Sequence, residues 1–482
     1  MVNTTAVLLG LLATTTNVVD TLFGNTTSPA AAASPAAVAS TISPPPFGYK
    51  AGSKESVANM KDKIKRVVWI LLENRSFDNI LGGVKRPGLD NPANRGDVCN
   101  PANLSAVVGP PLCTRSKDFD SIANDPNHSV TGNNLEFYGQ FAPDNEAIQS
   151  GKLVATNQGF VEEQLLSFPG ITAEVAAEEV MGYYSEAEVP TMVEIVDDFL
   201  TFNYWFSCIP GPTNPNRACA LSGTSAGHGK NDDTFDVAGL NITSIFQAAS
   251  EHDISWLNYD GTNGAFAPDA LFYSWTEENA KNNIVPIENF FQDAYLGLLP
   301  QLSYLNPSCC GLNSNSMHPT GNVSFGQIFI KQVYDALRQG PQWSETLLIL
   351  TYDESGGFHD HVPSPLAVRP DNLTYTEPVP HSPDNQTYTF EFDRLGGRMP
   401  TFLISPYVPK GHIEDFGTDP ETGKAEAYSA TSVLKTLGLL WDIEDFTPRV
   451  SHSPTFDHLI GPKMRGDAPQ FFSVPKPFPN DV

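Results

Sequence analysis

Two apolar stretches that each lead directly into polar residues constrain the fold of this chain more than any other feature. Residues 67–72 (VVWILL) and residues 346–351 (TLLILT) are short, apolar and rich in β-branched or aromatic side chains. Such stretches are typical of strands buried on both faces, as in a parallel sheet. Predicted helices at about 324–338 and 427–440 alternate with predicted strands. This alternation predicts an α/β fold with a doubly wound, mostly parallel sheet.

The polar residues that follow the two strands predict a shared site. Glu73 and Asn74 come after the first strand, and Asp353 and Glu354 come after the second. Open α/β sheets bind ligands at the carboxyl ends of their strands. Taken alone, the end of the first strand is better explained by charged residues facing water, but two such ends favour a functional site. The adjacent acids Asp353 and Glu354 repel each other, and a bound cation relieves such repulsion.

The charge balance argues against several classes of partner. The chain has 28 basic and 55 acidic residues, which gives a formal net charge of −27. A protein with this balance lacks the basic surplus that neutralises nucleic-acid phosphates, so we expect no nucleic-acid partner. Simple electrostatic adsorption to anionic membranes is disfavoured for the same reason. The sequence shows no stretch long enough for a transmembrane span.

The amino-terminal residues differ from the rest of the chain and suggest secretion. Residues 6–13 (AVLLGLLA) resemble the core of a signal peptide, and residues 28–46 form a tether rich in Ala, Ser and Pro. We therefore expect a signal-like segment and tether over 1–46, followed by a single domain over 47–482 with a loop-rich insertion at about 235–320. Nine glycosylation sequons support an extracellular protein. They begin at Asn3, Asn25, Asn74, Asn103, Asn127, Asn241, Asn322, Asn372 and Asn385. A glycan on Asn74 would block the predicted site.

The six cysteines are expected to form disulfides, because an even number in a secreted chain favours pairing. Proximity along the chain suggests that Cys99 pairs with Cys113 and that Cys208 pairs with Cys219. The adjacent residues Cys309 and Cys310 are then left to each other, which is a strained arrangement.

A turn with two prolines at residues 211–217 (GPTNPNR) places a hydroxyl group between an aromatic strand and a helix. At such an elbow Thr213 would approach a ligand while backbone amides at the helix start face an anion. The alternative is a rigid structural loop in which Thr213 caps the helix. Arg217 similarly suits either a phosphate contact or a structural ion pair.

Taken together, the motifs resemble the phosphoesterase family of non-specific phospholipases C and related acid phosphatases. The carrying motifs are ENRSFDNILG at 73–82, DPNH at 125–128, GPTNPNR at 211–217, MHP at 317–319, YDESGGFHDHVPSP at 352–365 and LISPYVPKGH at 403–412. They occur in the family's order from about residue 64 to about residue 460. The segments SCCG, LGGR and FTPRV look most like the secreted fungal phospholipase C branch.

The resemblance implies an alkaline-phosphatase-like core with a hydroxyl nucleophile beside a divalent metal, either zinc or calcium. Residue by residue, it implies a metal site at Glu73, Asn74, Asp353 and Glu354, a nucleophile at Thr213 and further catalytic residues at His128, His318 and His361. We also expect phosphate contacts from Arg217 and from His359, which stands where many relatives have an aromatic residue. One departure is Ala430, where broader relatives often have a histidine.

The expected activity is that of a phospholipase C, which cleaves the glycerol-side phosphodiester bond of glycerophospholipids at a membrane or micelle surface. We expect a monomer. The rival activity is acid hydrolysis of phosphomonoesters, since related enzymes share the same site. A catalytically inactive binding protein is disfavoured because almost all the motif residues are present. A serine hydrolase is disfavoured because the chain lacks the G-x-S-x-G elbow. The only version of that alternative would be a lipid esterase with Ser225 as its nucleophile.

Overall fold

The computed structural model describes residues 42–106, 109–117, 120–475 and Phe478. The predicted signal-like segment and most of the predicted tether, together with Asn3 and Asn25, lie outside these described residues. The described residues belong to one compact unit. None of the helices within these ranges is long and apolar enough to cross a membrane.

The regular elements alternate along the chain as the sequence predicts. The α-helices are α1 (Lys54–Lys63), α2 (Phe77–Leu81), α3 (Pro92–Arg95), α4 (Val130–Tyr138), α5 (Asn145–Gln149), α6 (Phe160–Ser167), α7 (Ala173–Val180), α8 (Pro190–Asp198), α9 (Thr213–Ser222), α10 (Ile245–Glu251), α11 (Ser274–Asn279), α12 (Glu288–Leu296), α13 (Val323–Gln339), α14 (Ala430–Trp441) and α15 (Pro448–His452). The strands are β1 (Arg66–Leu72), β2 (Cys99–Asn100), β3 (Leu112–Cys113), β4 (Arg115–Lys117), β5 (Gly182–Tyr184), β6 (Leu200–Phe202), β7 (Trp205–Phe206), β8 (Trp256–Asp260), β9 (Ile284–Pro286), β10 (Leu302–Asn306), β11 (Thr346–Tyr352), β12 (Tyr375–Pro378), β13 (Thr387–Phe390), β14 (Phe402–Ile404), β15 (His412–Glu414), β16 (Gly417–Thr418), β17 (Ala425–Glu426) and β18 (Tyr428–Ser429).

A central sheet of eight strands, in the order β15-β6-β14-β11-β1-β10-β8-β9, forms the core. Strand β1 lies in its interior, parallel to both β10 and β11, and its residues from Val67 to Leu72 are fully buried. An apolar run of this kind is stable only where helices cover both faces of the sheet. Strand β14 alone runs antiparallel to its neighbours β11 and β6. The predicted α/β fold with a mostly parallel sheet is confirmed.

The helices pack in two groups, as expected for a doubly wound sheet. Helix α13 contacts α8 and α12, whereas α14 contacts α1, α9 and α15. Helix α13 links β10 to the parallel strand β11, a connection that requires a crossover helix. It covers the helix predicted at 324–338 with one extra residue at each end, and α14 begins three residues later than the predicted 427.

The segment 235–320 differs from the expectation of a loop-rich insertion. It supplies β8, β9 and β10, which pair in parallel and extend the central sheet beyond β1. The sequence indicates short strands here but not that they join the central sheet, because they are only three to five residues long and are separated by loops and short helices. This segment is therefore part of the core, and only its connecting loops reach the functional edge of the sheet.

The three expected disulfides are confirmed: Cys99–Cys113, Cys208–Cys219 and Cys309–Cys310. Cys99 and Cys113 face each other on the antiparallel strands β2 and β3. The second bridge ties the chain just before the 211–217 turn to the middle of helix α9. It therefore helps to fix the start of α9, where Thr213 lies.

Candidate active site

The ends of β1 and β11 meet as the sequence predicts, because the two strands are parallel neighbours with Leu72 paired to Tyr352. The backbone N–H of Asn74 donates to Oδ1 of Asp353 over 3.1 Å. Asn74 has a φ of 53°, in the left-handed region, and is fully buried. Gly356 packs against it so closely that a Cβ there would lie 2.3 Å from the Asn74 carbonyl oxygen. Only glycine fits at this contact.

Arg217 on helix α9 is a buried hub that holds three carboxylates. Its Nε donates to Asp353 (3.0 Å), its Nη1 to Asp269 (2.8 Å) and its Nη2 to Glu73 (3.1 Å). Tyr304 adds a 2.5 Å hydrogen bond to Asp269. All three guanidinium nitrogens are thus engaged by protein acceptors. This is the structural ion-pair role that the sequence left open, and the expected phosphate contact from Arg217 stays a prediction.

Asn74 joins the predicted nucleophile to the predicted acid–base group. Thr213 is the first residue of α9, and its hydroxyl lies 3.5 Å from Oδ1 of Asn74. On the other side, Nδ2 of Asn74 lies 3.5 Å from Nε2 of His128. The Nδ1 atom of His128 lies 2.7 Å from the Pro126 carbonyl oxygen and therefore carries the proton, which leaves Nε2 directed towards the site.

His318 completes the group of residues around Thr213. Its Nε2 lies 3.6 Å from Oδ2 of Asp125. Burial, assisted by His128 and the buried arginines, lowers the pKa of His318 to about 3, so its imidazole is neutral at ordinary pH. Asp125 was not singled out from the sequence, although it opens the DPNH motif that contains His128. An acid three residues before a histidine, within one turn, was the available signal.

These residues line a cleft of about 400 Å³. Its walls include Glu73, Asp125, His128, Thr213, Arg217, Asp269, Cys309, Cys310 and His318. Loops after β8 and β10 and the segment around 231–236 form the outer part of the wall. Thr213 is therefore reachable from solvent, whereas the carboxylates behind it are buried.

Buried negative charge is concentrated behind Thr213. Burial raises the pKa of Glu73 to about 8 even though Arg217 opposes the shift. Burial also raises the pKa of Asp353, and it raises that of Glu354 well above its usual range with the help of the neighbouring Asp353. Oε1 of Glu354 is buried without a hydrogen-bond partner among the described residues, and Nε2 of His128 lies 3.7 Å from it.

This donor set fits a divalent cation. Glu73, Asn74, Asp353 and Glu354 supply oxygen atoms, and the unpartnered Glu354 oxygen is the kind of atom that a cation satisfies. Atoms of Glu73, Cys310 and His318 also lie within 4.8 Å of one another. Because Cys310 is in a disulfide, it offers no thiolate, so nitrogen from His318 is the softer ligand available there.

The structure does not bring His359 and His361 to this cleft. The His359 ring is buried against Phe160, its two nitrogens lack hydrogen-bond partners in the described part of the chain, and burial lowers its pKa to about 4. His361 lies between Asp78 (2.7 Å) and Asp90 (2.9 Å), so both of its ring nitrogens are occupied. Neither residue lines the cleft, so the expected phosphate contact from His359 and the expected catalytic role of His361 stay predictions that the geometry of this cleft does not support.

Ala430 does not belong to the cleft either. It is the first residue of α14, and its neighbours Ser429 and Thr431 line a different cavity of about 260 Å³ with Arg449 and His452. Position 430, where we expected an active-site imidazole to be missing, therefore does not lie among the residues around Thr213.

Comparisons with known proteins agree with the motifs. The sequence profile of the Phosphoesterase family matches residues 64–444. The non-specific phospholipase C6 of Arabidopsis thaliana is 35% identical over 408 residues, which cover 82% of this chain and 72% of that protein. The hemolytic phospholipase C of Pseudomonas aeruginosa is 24% identical over 420 residues, which cover 78% of this chain and 52% of that protein.

Among solved structures, a protein in the alkaline phosphatase superfamily from Vibrio parahaemolyticus is similar over 56% of this chain and 64% of its own, with a TM-score of 0.30 and 13% identity. This similarity is low, and the fold class rests on the sheet described above. The expectation of a phosphoric ester hydrolase is confirmed, whereas the closer resemblance to the fungal branch stays a prediction. On the evidence of the profile match and the 35% identity, the chain belongs to the Phosphoesterase family.

Proposed function

We propose that this protein is a secreted, metal-dependent phospholipase C that acts as a monomer. It cleaves the glycerol-side phosphodiester bond of glycerophospholipids and releases diacylglycerol and a phosphorylated head group. The observation that carries the proposal is the position of the Thr213 hydroxyl, 3.5 Å from Asn74 at the floor of a cleft walled by buried carboxylates. The relatives named phospholipases C support the choice of reaction.

The residues around Thr213 account for a two-step displacement at phosphorus. The Thr213 oxygen forms a bond to phosphorus while the bond from phosphorus to the glycerol oxygen breaks. His128 presents an unprotonated Nε2 to this space and accepts the proton of the attacking hydroxyl group. The imidazolium so formed protonates the departing alkoxide, while neutral His318 is placed to contact a phosphoryl oxygen. Water then cleaves the phosphothreonine, which restores Thr213 and releases the phosphorylated head group.

Glu73, Asn74, Asp353 and Glu354 would hold the divalent cation. When bound, it would neutralise phosphoryl charge and favour ionisation of the nearby hydroxyl group. Arg217 keeps Glu73 and Asp353 in place, since it bridges them from behind. The secreted state is supported by the sequons at exposed positions such as Asn241 and Asn372 and by the disulfides.

The test compares two substrates and two variants. Purified protein is incubated with phosphatidylcholine micelles, with release of diacylglycerol and phosphocholine followed, and separately with a simple phosphomonoester, with free phosphate followed. Thr213→Ala is expected to lose at least ~10³-fold in rate, whereas Thr213→Ser retains part of it. Thr262→Ala is the matched control, because Thr262 lines the same cleft without contacting Asn74.

Three outcomes contradict the proposal in distinct ways. Release of free phosphate alone, across acidic and neutral pH and with zinc or calcium supplied, would favour the phosphomonoesterase. Normal turnover by Thr213→Ala would mean that water attacks phosphorus directly. Full activity after thorough chelation would remove the metal from the reaction.

A further inference from the structure

Exposed apolar side chains stand on separate loops around the mouth of the cleft. Val237 is 71% exposed, Phe266 is 52% exposed and Leu312 is 60% exposed. Each belongs to a loop whose neighbouring residues line the cleft: 231–237, 262–267 and 306–312, here called the rim loops. Single exposed apolar residues are common on proteins, but a set that surrounds one cleft mouth marks an interaction surface.

The rim loops are held in place by packing beneath them. Phe235 is fully buried, and its ring contacts that of Phe272 with centroids 5.1 Å apart. The 231–237 loop is therefore anchored two residues before its exposed Val237. The Gly261 N–H donates to the Asn306 carbonyl over 2.8 Å, which joins the other two loops at their bases. The apolar tips therefore project outwards from a fixed base.

The first rim loop is also tied to the reaction centre. The side-chain oxygen of Asn231 accepts a 2.9 Å hydrogen bond from the backbone N–H of Asn214, the residue after Thr213. A surface that binds through this loop would thus lie directly over the entrance to the nucleophile. This continuity distinguishes the rim from other exposed apolar residues of the molecule.

The charges on the rim indicate which surface it fits. Asp233 and Asp236 are exposed, and Asp232 is half-buried with a 2.9 Å contact to His228. The flanking basic residue is Lys230, and the whole chain has a net charge of −27. These carboxylates repel an anionic membrane. A phosphatidylcholine surface instead presents cationic trimethylammonium groups outermost, which complement them, while the apolar tips enter the layer beneath.

We propose that the rim loops dock on a zwitterionic phospholipid surface, with the apolar tips in the lipid and the aspartates facing its cationic amines. This inference rests on the proposed function, because it supplies that reaction with its substrate directly from a bilayer or micelle. No lipid has to leave the layer completely if the cleft mouth itself lies on the layer.

Binding and catalysis are tested separately. Binding to phosphatidylcholine vesicles is measured by co-sedimentation in the Thr213→Ala background, so that the lipid stays intact. The test variant is V237S/L312S. The matched control is V474S/L298S, since Val474 and Leu298 are 72% and 63% exposed and do not line the cleft. Leu298 precedes β10 and so lies near the amino ends of the parallel strands, away from the carboxyl ends where the cleft lies.

We expect V237S/L312S to weaken vesicle binding at least ~10-fold, since two apolar side chains no longer enter the lipid, while the control binds normally. With Thr213 restored, the same double variant should turn over vesicle phosphatidylcholine more slowly. Its kcat/KM for the monomeric chromogenic substrate p-nitrophenylphosphorylcholine should stay unchanged. Adding phosphatidylglycerol to the vesicles should weaken binding of the parent protein.

Equal binding by the test and control variants would overturn the proposal, as would tighter binding to the anionic vesicles. A concentration-dependent dimer that V237S/L312S abolishes, without any vesicle binding, would instead assign the rim to self-association. Failure of the proposed function is recognised differently: the parent protein would bind vesicles through the rim but release neither diacylglycerol nor phosphocholine.

Discussion

Replacement of His361 by glutamine separates a structural role of this histidine from the catalytic one that the motifs suggested. His361 bridges Asp78 and Asp90, and Arg398 donates to Asp78 (3.0 Å) and to Asp360 (3.0 Å) in the same buried cluster. Burial alone would lower the pKa of His361, but the carboxylates of Asp78 and Asp90 outweigh it and raise the pKa to about 9. The histidine is therefore a cation at neutral pH.

The size of the effect follows from this shift. The pKa rises from 6.5 to about 9, which corresponds to about 3 kcal/mol of folding free energy by linkage. Because the folded pKa is above the unfolded one, this stabilisation is fully present below pH 6.5 and is lost as pH rises through about 9. His361→Gln removes the charge and leaves Asp78 and Asp90 with less compensation, which costs about 3–5 kcal/mol at pH 6.

The assay is urea denaturation of the parent protein and His361→Gln at several pH values between 6 and 9.5. The difference in unfolding free energy between the two proteins should shrink by about 3 kcal/mol across this range. Taking the difference between the two proteins cancels the pH-dependent contributions of groups that titrate alike in both, including Glu73. His452→Gln is the matched control, because His452 has one carboxylate partner, Asp419, and is 31% exposed. Its effect should stay below about 1 kcal/mol.

A constant difference between the parent protein and His361→Gln across the pH range would refute this account of the buried cluster. Turnover supplies a second check. For folded His361→Gln at pH 6.5, kcat should change by less than ~10-fold, whereas loss of a general acid or base typically costs ~10²–10⁴-fold. A loss in that larger range, with stability unchanged, would restore the catalytic assignment.

Three further predictions concern the metal, the arginine hub and the glycans. Asp353→Asn should lower bound zinc or calcium in elemental analysis and abolish turnover, with Asp384→Asn as the control because Asp384 is exposed and does not line the cleft; normal metal content would contradict the assigned ligands. Arg217→Lys should lower the unfolding free energy by about 3–5 kcal/mol in urea, because lysine cannot bridge Glu73, Asp269 and Asp353 together; a change below 1 kcal/mol would contradict the hub. Peptide mapping after endoglycosidase treatment should find glycans at exposed Asn241, Asn372 and Asn385 but none at buried Asn74; a glycan at Asn74 would contradict the site.

The sequence predicted the centre of the fold because that part depends on local pattern. The apolar run of β1 can be stable only inside a sheet, and β11 has the same pattern. Parallel strands place their carboxyl ends side by side. The proximity of Glu73 and Asp353 therefore follows from the positions at which the two apolar runs end. The disulfides were predicted for the same local reason, since each pair is separated by at most 14 positions.

Partners that are distant in sequence were not predictable in this way. Arg217 contacts Asp269 and Asp353, but the residues next to either aspartate in the sequence do not indicate that an arginine will be its partner. His361 belongs to a family motif, but whether its ring faces the cleft depends on Asp78 and Asp90 beneath the loop. The strands of segment 235–320 have three to five residues, and strands this short lack a clear periodic signal.

The charge balance behind Thr213 is the strongest physical argument for a cation in this protein. Glu73, Asp353 and Glu354 are buried together, and Arg217 contacts only the first two of them while also serving Asp269. One guanidinium cannot neutralise this group, and buried carboxylates that lack compensation must bind either protons or a metal ion. Burial raises the pKa of Glu73 to about 8 and that of Glu354 well above its usual range, so both acids resist ionisation unless positive charge is supplied. A divalent ion would displace those protons, leave the carboxylates ionised, and place positive charge where Thr213 meets an anionic phosphodiester. In the proposed reaction, the same acids would therefore be the reason that the site binds both a divalent cation and the substrate.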